Sequence, residues 1–265
     1  MNVRRRFPFP LLLSLLSVAS SAAAQMPWSS SLPQRGVSLD ILRPKVQGGG
    51  TSFLSVAAFF SARLPLGRTT VRLEVPYARG ATDVGSSSSL GNPYVGLELG
   101  GPTGLSGEAG ARIPLASDDE YLATTIGGFS DITRAEAFLP NTLMLATRAR
   151  YRVRAPDGFT FDAGGGPSLW VPTKGGGDPE LALHHHMAAG YQGAAVWFAV
   201  GFGGWTIITE DAGGVGERTV NQIGASVGMA RGPVRPALHL LVPLDDEYNS
   251  QIGMVLGMGV AVVLR

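Results

Sequence analysis

A period of two governs this chain and most narrows what it can fold into. Apolar side chains alternate with polar or small ones in segments of about ten residues, separated by clusters of Gly, Pro, Asp and Ser. After Thr69, Val71, Leu73 and Val75 share one face while Arg72 and Glu74 share the other. Val95, Leu97 and Leu99 oppose Tyr94, Gly96 and Glu98, and Leu105, Ala109, Ala111 and Ile113 oppose Ser106, Glu108, Gly110 and Arg112. Leu145, Ala149, Tyr151 and Val153 oppose Arg148, Arg150, Arg152 and Arg154. Near the end, Ile252, Met254, Leu256, Met258, Val260, Val262 and Leu264 oppose Gln251, Gly253, Gly257, Gly259 and Ala261. A helical membrane span needs roughly 20 apolar residues. Beyond the N-terminal segment, the nearest stretch, Ala194 to Ile208, is broken by glycines and a threonine.

Soluble sandwiches alternate too, so the character of the polar face matters. That face is rich in glycine and carries charges of both signs. The chain has 37 glycines in 265 residues and only 15% charged residues, against about 7% glycine and about 25% charge in ordinary soluble domains. Such a composition suits a barrel whose apolar face meets lipid and whose other face lines an aqueous or ionic interior.

Connection lengths specify a topology. About twelve strands are expected, over 37–44, 52–63, 69–78, 92–100, 105–115, 142–154, 159–171, 181–191, 195–208, 219–229, 234–243 and 250–264. Tight links at Pro65-Leu66-Gly67-Arg68, Gly101-Pro102-Thr103, Ala155-Pro156-Asp157-Gly158, Gln192-Gly193 and Arg231-Gly232-Pro233 alternate with longer ones, notably 79–91, 116–141, 172–180 and 209–218. Short turns at one end and longer loops at the other define an antiparallel transmembrane β-barrel, with short periplasmic turns and longer extracellular loops. A Greek-key sandwich has no reason to alternate so regularly.

The N-terminus reads as an export signal. Arg4, Arg5 and Arg6 precede an apolar core from Leu11 to Val18, and Ala22-Ala23-Ala24 offers small residues for cleavage. The expected organisation is a signal peptide over 1–24, a short periplasmic leader over 25–36 and a barrel over 37–265. Cysteine is absent, so stability rests on packing, backbone pairing or membrane insertion. A net charge of +1 gives no reason to expect a nucleic-acid partner.

Aromatic residues suggest two interfacial belts, with Tyr77, Trp170 and Phe53 toward the long loops and Tyr151, Tyr191 and Phe161 toward the short turns. The stretch Leu90-Gly91-Asn92-Pro93-Tyr94-Val95-Gly96-Leu97-Glu98-Leu99 resembles the outer-membrane transporter-like family associated with the MetA pathway of phenol degradation. Arg112-Ile113-Pro114-Leu115 and Leu241-Val242-Pro243-Leu244-Asp245-Asp246 echo the same family. The resemblance implies a barrel channel for small, often hydrophobic or aromatic compounds. The last residues, Val262-Val263-Leu264-Arg265, lack the final aromatic side chain with which many bacterial outer-membrane barrels end.

The arginine ladder Arg148, Arg150, Arg152 and Arg154 is the most unusual local feature. Facing lipid near the midplane would cost about 2–4 kcal/mol per arginine, so the ladder is expected to face inward. It then either guides anionic solutes or pairs with interior acids such as Glu74, Glu98, Glu108 and Asp162. Arg72, Glu74, Glu98, Glu108, Arg112, Arg148, Arg150, Arg152, Asp162 and Arg235 form the expected pore lining. Within the long loop, Ser117-Asp118-Asp119-Glu120 reads as a helix-capping sequence and Ile132 to Leu139 as a second short helix stopped by Pro140. That loop, with Ser117, Asp118, Asp119 and Glu120, is the expected constriction, or else an ordinary exposed loop. The acidic run Asp245-Asp246-Glu247 reads as solvated.

His184 and His186 share the inward face while His185 points outward, and two histidines without a third ligand make a poor zinc site. Ser226 and His239 face inward on neighbouring strands, but no Gly-x-Ser-x-Gly elbow accompanies them. Neither a cofactor, a metal nor catalysis is expected. The expected function is passive passage of small solutes across the outer membrane, with lipid and lipopolysaccharide as surroundings. A closed structural or adhesion barrel with a charge-filled lumen, and a soluble periplasmic β protein, are the alternatives.

Overall fold

The computed structural model describes residues 35–47, 54–83, 85–209 and 215–264. The signal-peptide segment, nearly all of the leader and Phe53 lie outside the described residues. The strands are β1 (Gly36–Val46), β2 (Val56–Leu66), β3 (Thr69–Thr82), β4 (Gly85–Leu90), β5 (Tyr94–Gly100), β6 (Gly104–Arg112) and β7 (Thr142–Arg154). They continue as β8 (Phe159–Pro172), β9 (Glu180–Gln192), β10 (Val196–Ile207), β11 (Thr219–Met229), β12 (Val234–Pro243) and β13 (Ile252–Val263). Every segment read from alternation overlaps one of these.

Apart from β4, each strand pairs antiparallel with the next around the wall, β3 pairs with β5, and β13 returns to β1 from Gly36↔Val263 to Lys45↔Met254. The result is a closed barrel of 12 strands, a closure that pairs every strand of the wall on both sides and leaves β4 as an added strand beside β3. Glycine permits the tight turns where the chain takes positive φ, as at Gly67 (65°) and Gly158 (97°).

β4 is the element that alternation missed. The lower part of β3 pairs with β5 (Glu74↔Tyr94), whereas its upper part rises beyond and pairs with β4 (Tyr77↔Leu90). Residues 79–91, expected as a loop, thus extend β3 into a hairpin at the long-loop end. Between β4 and β5 the register shifts by one, so Gly91, Asn92 and Pro93 stand opposite two residues of β3, Val75 and Pro76. This bulge turns Asn92 into the barrel, where it is fully buried.

The outer face is apolar around the wall. Leu73, Val95, Leu97, Leu145, Met187, Val200, Ile223, Leu238, Leu256 and Met258 are all exposed. An unbroken apolar belt of this kind is stable against hydrocarbon and not against water. Near the short turns Tyr151, Phe159, Tyr191 and Phe198 project outward, with Tyr191 and Phe198 stacked at 6.0 Å. Trp170 corrects the belt assignment. It points inward and packs edge-on against Trp205 at 5.2 Å. Ile252 is likewise buried, because a register shift at Lys45/Val46 turns it off the outer face.

The interior is not uniformly polar. Leu42, Phe59, Ala78, Leu241 and Val255 form one buried apolar cluster, and Tyr94, Met144, Trp170, Trp205 and Val220 a second. Both engage the loop between β6 and β7.

Candidate functional site

The loop between β6 and β7 enters the barrel. A 3₁₀ turn (Asp118–Glu120) leads into helix α1 (Tyr121–Ser130), and a second 3₁₀ segment (Ile132–Phe138) follows. Ser117 caps the first turn, accepting from the backbone N–H of Asp119 at 3.2 Å. Asp118 and Asp119 stay exposed, and Ser117 and Glu120 are only half-buried. The part that fills the lumen comes later. Asp131, Ile132, Thr133, Arg134, Glu136, Ala137 and Phe138 are all buried.

Three sets of contacts hold this segment. Ile132 joins the Trp170–Trp205 cluster, while Phe138 packs edge-on against Phe59 at 5.8 Å in the other cluster. Gln222 of β11 donates to Asp131 Oδ1 at 2.7 Å and accepts from the backbone N–H of Ile132 at 3.1 Å. The Trp205 indole N–H donates to the carbonyl of Ile132 at 3.0 Å. Asn92 supplies the third set. Its side-chain N–H groups donate to the carbonyls of Glu136 and Leu139, its Oδ1 accepts from the backbone N–H groups of Leu115 and Ala116, and its own N–H donates to Ala137. Gly91 is needed beside it, since a Cβ there would lie 2.4 Å from the Ala137 carbonyl oxygen.

Charged side chains complete the interior. Arg134 donates to Asp131 (2.8 Å) and Glu74 (3.4 Å), lies 3.9 Å from Asp40, and covers the Phe59 ring at 3.7 Å. Glu74 also takes Arg112 at 2.7 Å, and Arg148 reaches Glu136 at 2.9 Å. Arg72 and the Tyr94 hydroxyl both bond Glu108, and Arg63 bonds Glu98. Arg150, Arg152 and His186 converge on Asp162, with Arg152 at 2.6 Å and His186 at 3.0 Å. Arg72, Glu74, Glu98, Glu108, Arg112, Arg148, Arg150, Arg152 and Asp162 all lie on the inward face. Arg235 shares that face at the short-turn mouth, where it donates to the Gly232 carbonyl.

Sequence reasoning did not single out Asp40, Arg63, Asn92, Asp131, Arg134, Glu136 or Gln222 as site residues. Only Asn92 carried a local signal, the Asn-Pro turn dipeptide. Asp246 and Glu247 of the acidic run are exposed, and half-buried Asp245 has a capping role the sequence reading did not give it. It caps helix α2 (Asp246–Gln251), whose Tyr248 packs on Phe129 of α1 at 5.2 Å.

The histidines make separate contacts. His184 meets Ser168 at 3.0 Å, while outward His185 meets Asn221 at 2.8 Å and stacks on Phe202. Ser226 Oγ lies 2.8 Å from His239 Nδ1, and His239 Nε2 lies 3.5 Å from Asp40 Oδ1. These three residues resemble a hydrolytic relay in composition. They sit on the ladder-paired wall of β11, β12 and β1.

Beneath the inward segment, two adjoining cavities lie at the short-turn end. One of about 770 Å³ is lined by Arg63, Arg68, Glu98 and Pro102. The other, about 240 Å³, is lined by Pro102, Arg152, Arg154, Asp162, Gln192 and Trp197.

This architecture, a closed barrel with an apolar exterior and a loop folded into its lumen, is that of an outer-membrane β-barrel. No protein-family model matches the sequence, and no curated protein matches it. Among solved structures the chain is similar to an outer membrane channel from Pseudomonas putida F1, with a TM-score of 0.59, 11% identity, and coverage of 92% of this chain and 100% of that one. LpxR from Salmonella typhimurium gives a TM-score of 0.49 at 9% identity, covering 86% of this chain and 100% of that one. The beta domain of the Bordetella autotransporter BrkA gives 0.42 at 11% identity, covering 88% and 100%. At such identities the likeness to the Pseudomonas channel establishes a shared fold.

Proposed function

We propose that this protein is an outer-membrane channel for small solutes whose lumen is constricted by residues 131–138. The observation that carries the reading is that the obstruction is a loop and not the wall. Both of its ends return to the long-loop rim, at Ala116 and Thr142, so it can leave the lumen without breaking any strand pairing of the barrel. Inward glycines such as Gly201, Gly224 and Gly259 leave bore space along the wall.

The chain is exported in this reading, with residues 1–24 removed and 25–36 left as a periplasmic leader. Resemblance to the phenol-degradation family supports small hydrophobic or aromatic cargo. Lipopolysaccharide is the expected outer-leaflet neighbour. Arg43 and Lys45 of β1 and Arg79 of β3 lie on the outward face toward the long loops, a basic cluster suited to phosphate groups. One observation favours a closed structural barrel instead, namely that Glu74, Glu98, Glu108, Glu136 and Asp162 are all bonded by arginines.

Conductance in planar bilayers separates the two. The intact protein is expected to give small or infrequent steps, and a variant lacking residues 131–138 to give stable, larger ones. If that variant folds, judged by heat-modifiable gel mobility, and still passes no current, the channel reading fails. Fractionation placing the protein in the soluble periplasm would remove the membrane reading altogether.

A further inference from the structure

We infer that the short-turn end of the barrel carries a binding site for a small aromatic carboxylate, held by Arg152 and Arg154 against Trp197. The inference goes beyond the channel proposal and does not require passage through the lumen.

Charge at this end is unbalanced. The two adjoining cavities meet at Pro102 and present Arg63, Arg68, Arg152 and Arg154 against the carboxylates of Glu98 and Asp162. Both carboxylates are already engaged, Glu98 by Arg63 and Asp162 by Arg150, Arg152 and His186. Asp162 therefore has little acceptor capacity left for further donors. Arg152 uses its Nε on Asp162, and its side chain remains 36% exposed. Arg154, two residues further along β7, is exposed and has no carboxylate partner among the described residues. Arg63 is 91% buried with its Nε unpartnered, and it lines the larger cavity.

Geometry supplies the rest. Residues two apart on a strand project from one face roughly 7 Å apart, so the guanidinium forks of Arg152 and Arg154 flank a space suited to one carboxylate. Guanidinium recognises such a group with parallel N–H···O bonds. Trp197 lines the same cavity and offers an aromatic wall, with Thr160 and Gln192 as neutral polar neighbours. Low-dielectric walls strengthen the field of uncompensated arginines inside a recess. At the opposite end the exposed acids Asp118, Asp119, Asp246 and Glu247 are mixed with exposed Lys45, Arg79 and Lys174, whereas the short-turn recess holds arginines in excess.

The test is a titration of 4-fluorobenzoate into the folded, full-length barrel in a nonionic detergent, read by fluorine NMR. Expected is a saturable shift or broadening that weakens at least tenfold in the Arg152→Gln/Arg154→Gln variant and diminishes with added salt. 4-Fluorobenzyl alcohol, with the same ring and no charge, is expected to bind at least tenfold more weakly, and acetate to compete poorly. Arg154→Gln alone removes no side-chain hydrogen bond or ion pair among the described residues, so its own loss of affinity keeps the test valid should the double variant fail to close. Equal binding of the neutral alcohol, equal competition by acetate, or unchanged affinity in Arg154→Gln would each overturn the site. Because the readout is equilibrium binding, its failure is distinct from an absence of conductance.

Discussion

At Asn92 one side chain joins the barrel wall to the inward loop. Its amide answers carbonyls of Glu136 and Leu139 and the N–H groups of Leu115 and Ala116, while its backbone carbonyl accepts from Arg112 at 3.1 Å. Each buried group left without a partner costs about 1–3 kcal/mol. Asn92→Ala is accordingly expected to release the loop rather than open the barrel. Limited proteolysis should cut within 117–141 faster, while the heat-modifiable gel shift persists. Arg134 is the corresponding centre for charge. Arg134→Met leaves Asp131 and Glu74 short of a cation inside the lumen, and removing one member of such a pair costs about 3–5 kcal/mol. The expected outcome is a lower midpoint for loop release, visible as increased protease sensitivity in mild urea, with the barrel midpoint little changed.

Among the elements, the loop 117–141 behaves as a separate packed unit. Its helix α1 leans on the β3–β4 hairpin, where Ser87 Oγ accepts from the Ala123 N–H at 3.0 Å. Phe138 and Ile132 anchor it in the two apolar clusters of the lumen. Truncating a buried phenylalanine costs about 3–5 kcal/mol, so Phe138→Ala is expected to raise bilayer conductance toward that of the loop deletion. An unchanged current would show that the loop is not held by this packing. The β4 strand on which this loop leans escaped alternation for a physical reason. Residues 85–90 read Gly-Ser-Ser-Ser-Ser-Leu, with no apolar face to reveal a strand. They pair because β3 outruns β5 and offers them an open edge.

For the molecule as a whole, the contrast between its two faces decides where a charge is tolerated. Leu238, mid-strand on β12, is exposed on the outer face. Leu238→Arg is expected to lower folding stability in lipid vesicles by about 2–4 kcal/mol. The same charge at inward positions such as 148 is already accommodated by Glu136. Similar losses in detergent and in thin or thick bilayers would contradict a lipid-facing wall. Closure makes the ladder cooperative, so the barrel is expected to migrate faster in unboiled samples than after boiling.

Period-two alternation, turn glycines and the rhythm of short and long links are local properties, and they determined the strand positions, the fold class and the two faces. An arginine at every second residue from 148 to 154 has one energetically acceptable side in a membrane, so its inward direction was legible in advance. Its partners were legible in part, since Asp162 was among the acids expected and meets Arg150 and Arg152, but Glu136 was not. Which side chains meet across the lumen depends on stagger, tilt and closure, and these brought Arg148 to Glu136 on the loop instead of to a wall acid. Closure also decided that Trp170, Phe59 and Leu241 point inward, because they dock the loop, and that a one-residue bulge aims Asn92 at it. Local chemistry specified a wall, and only the closed ring specified what stands inside it.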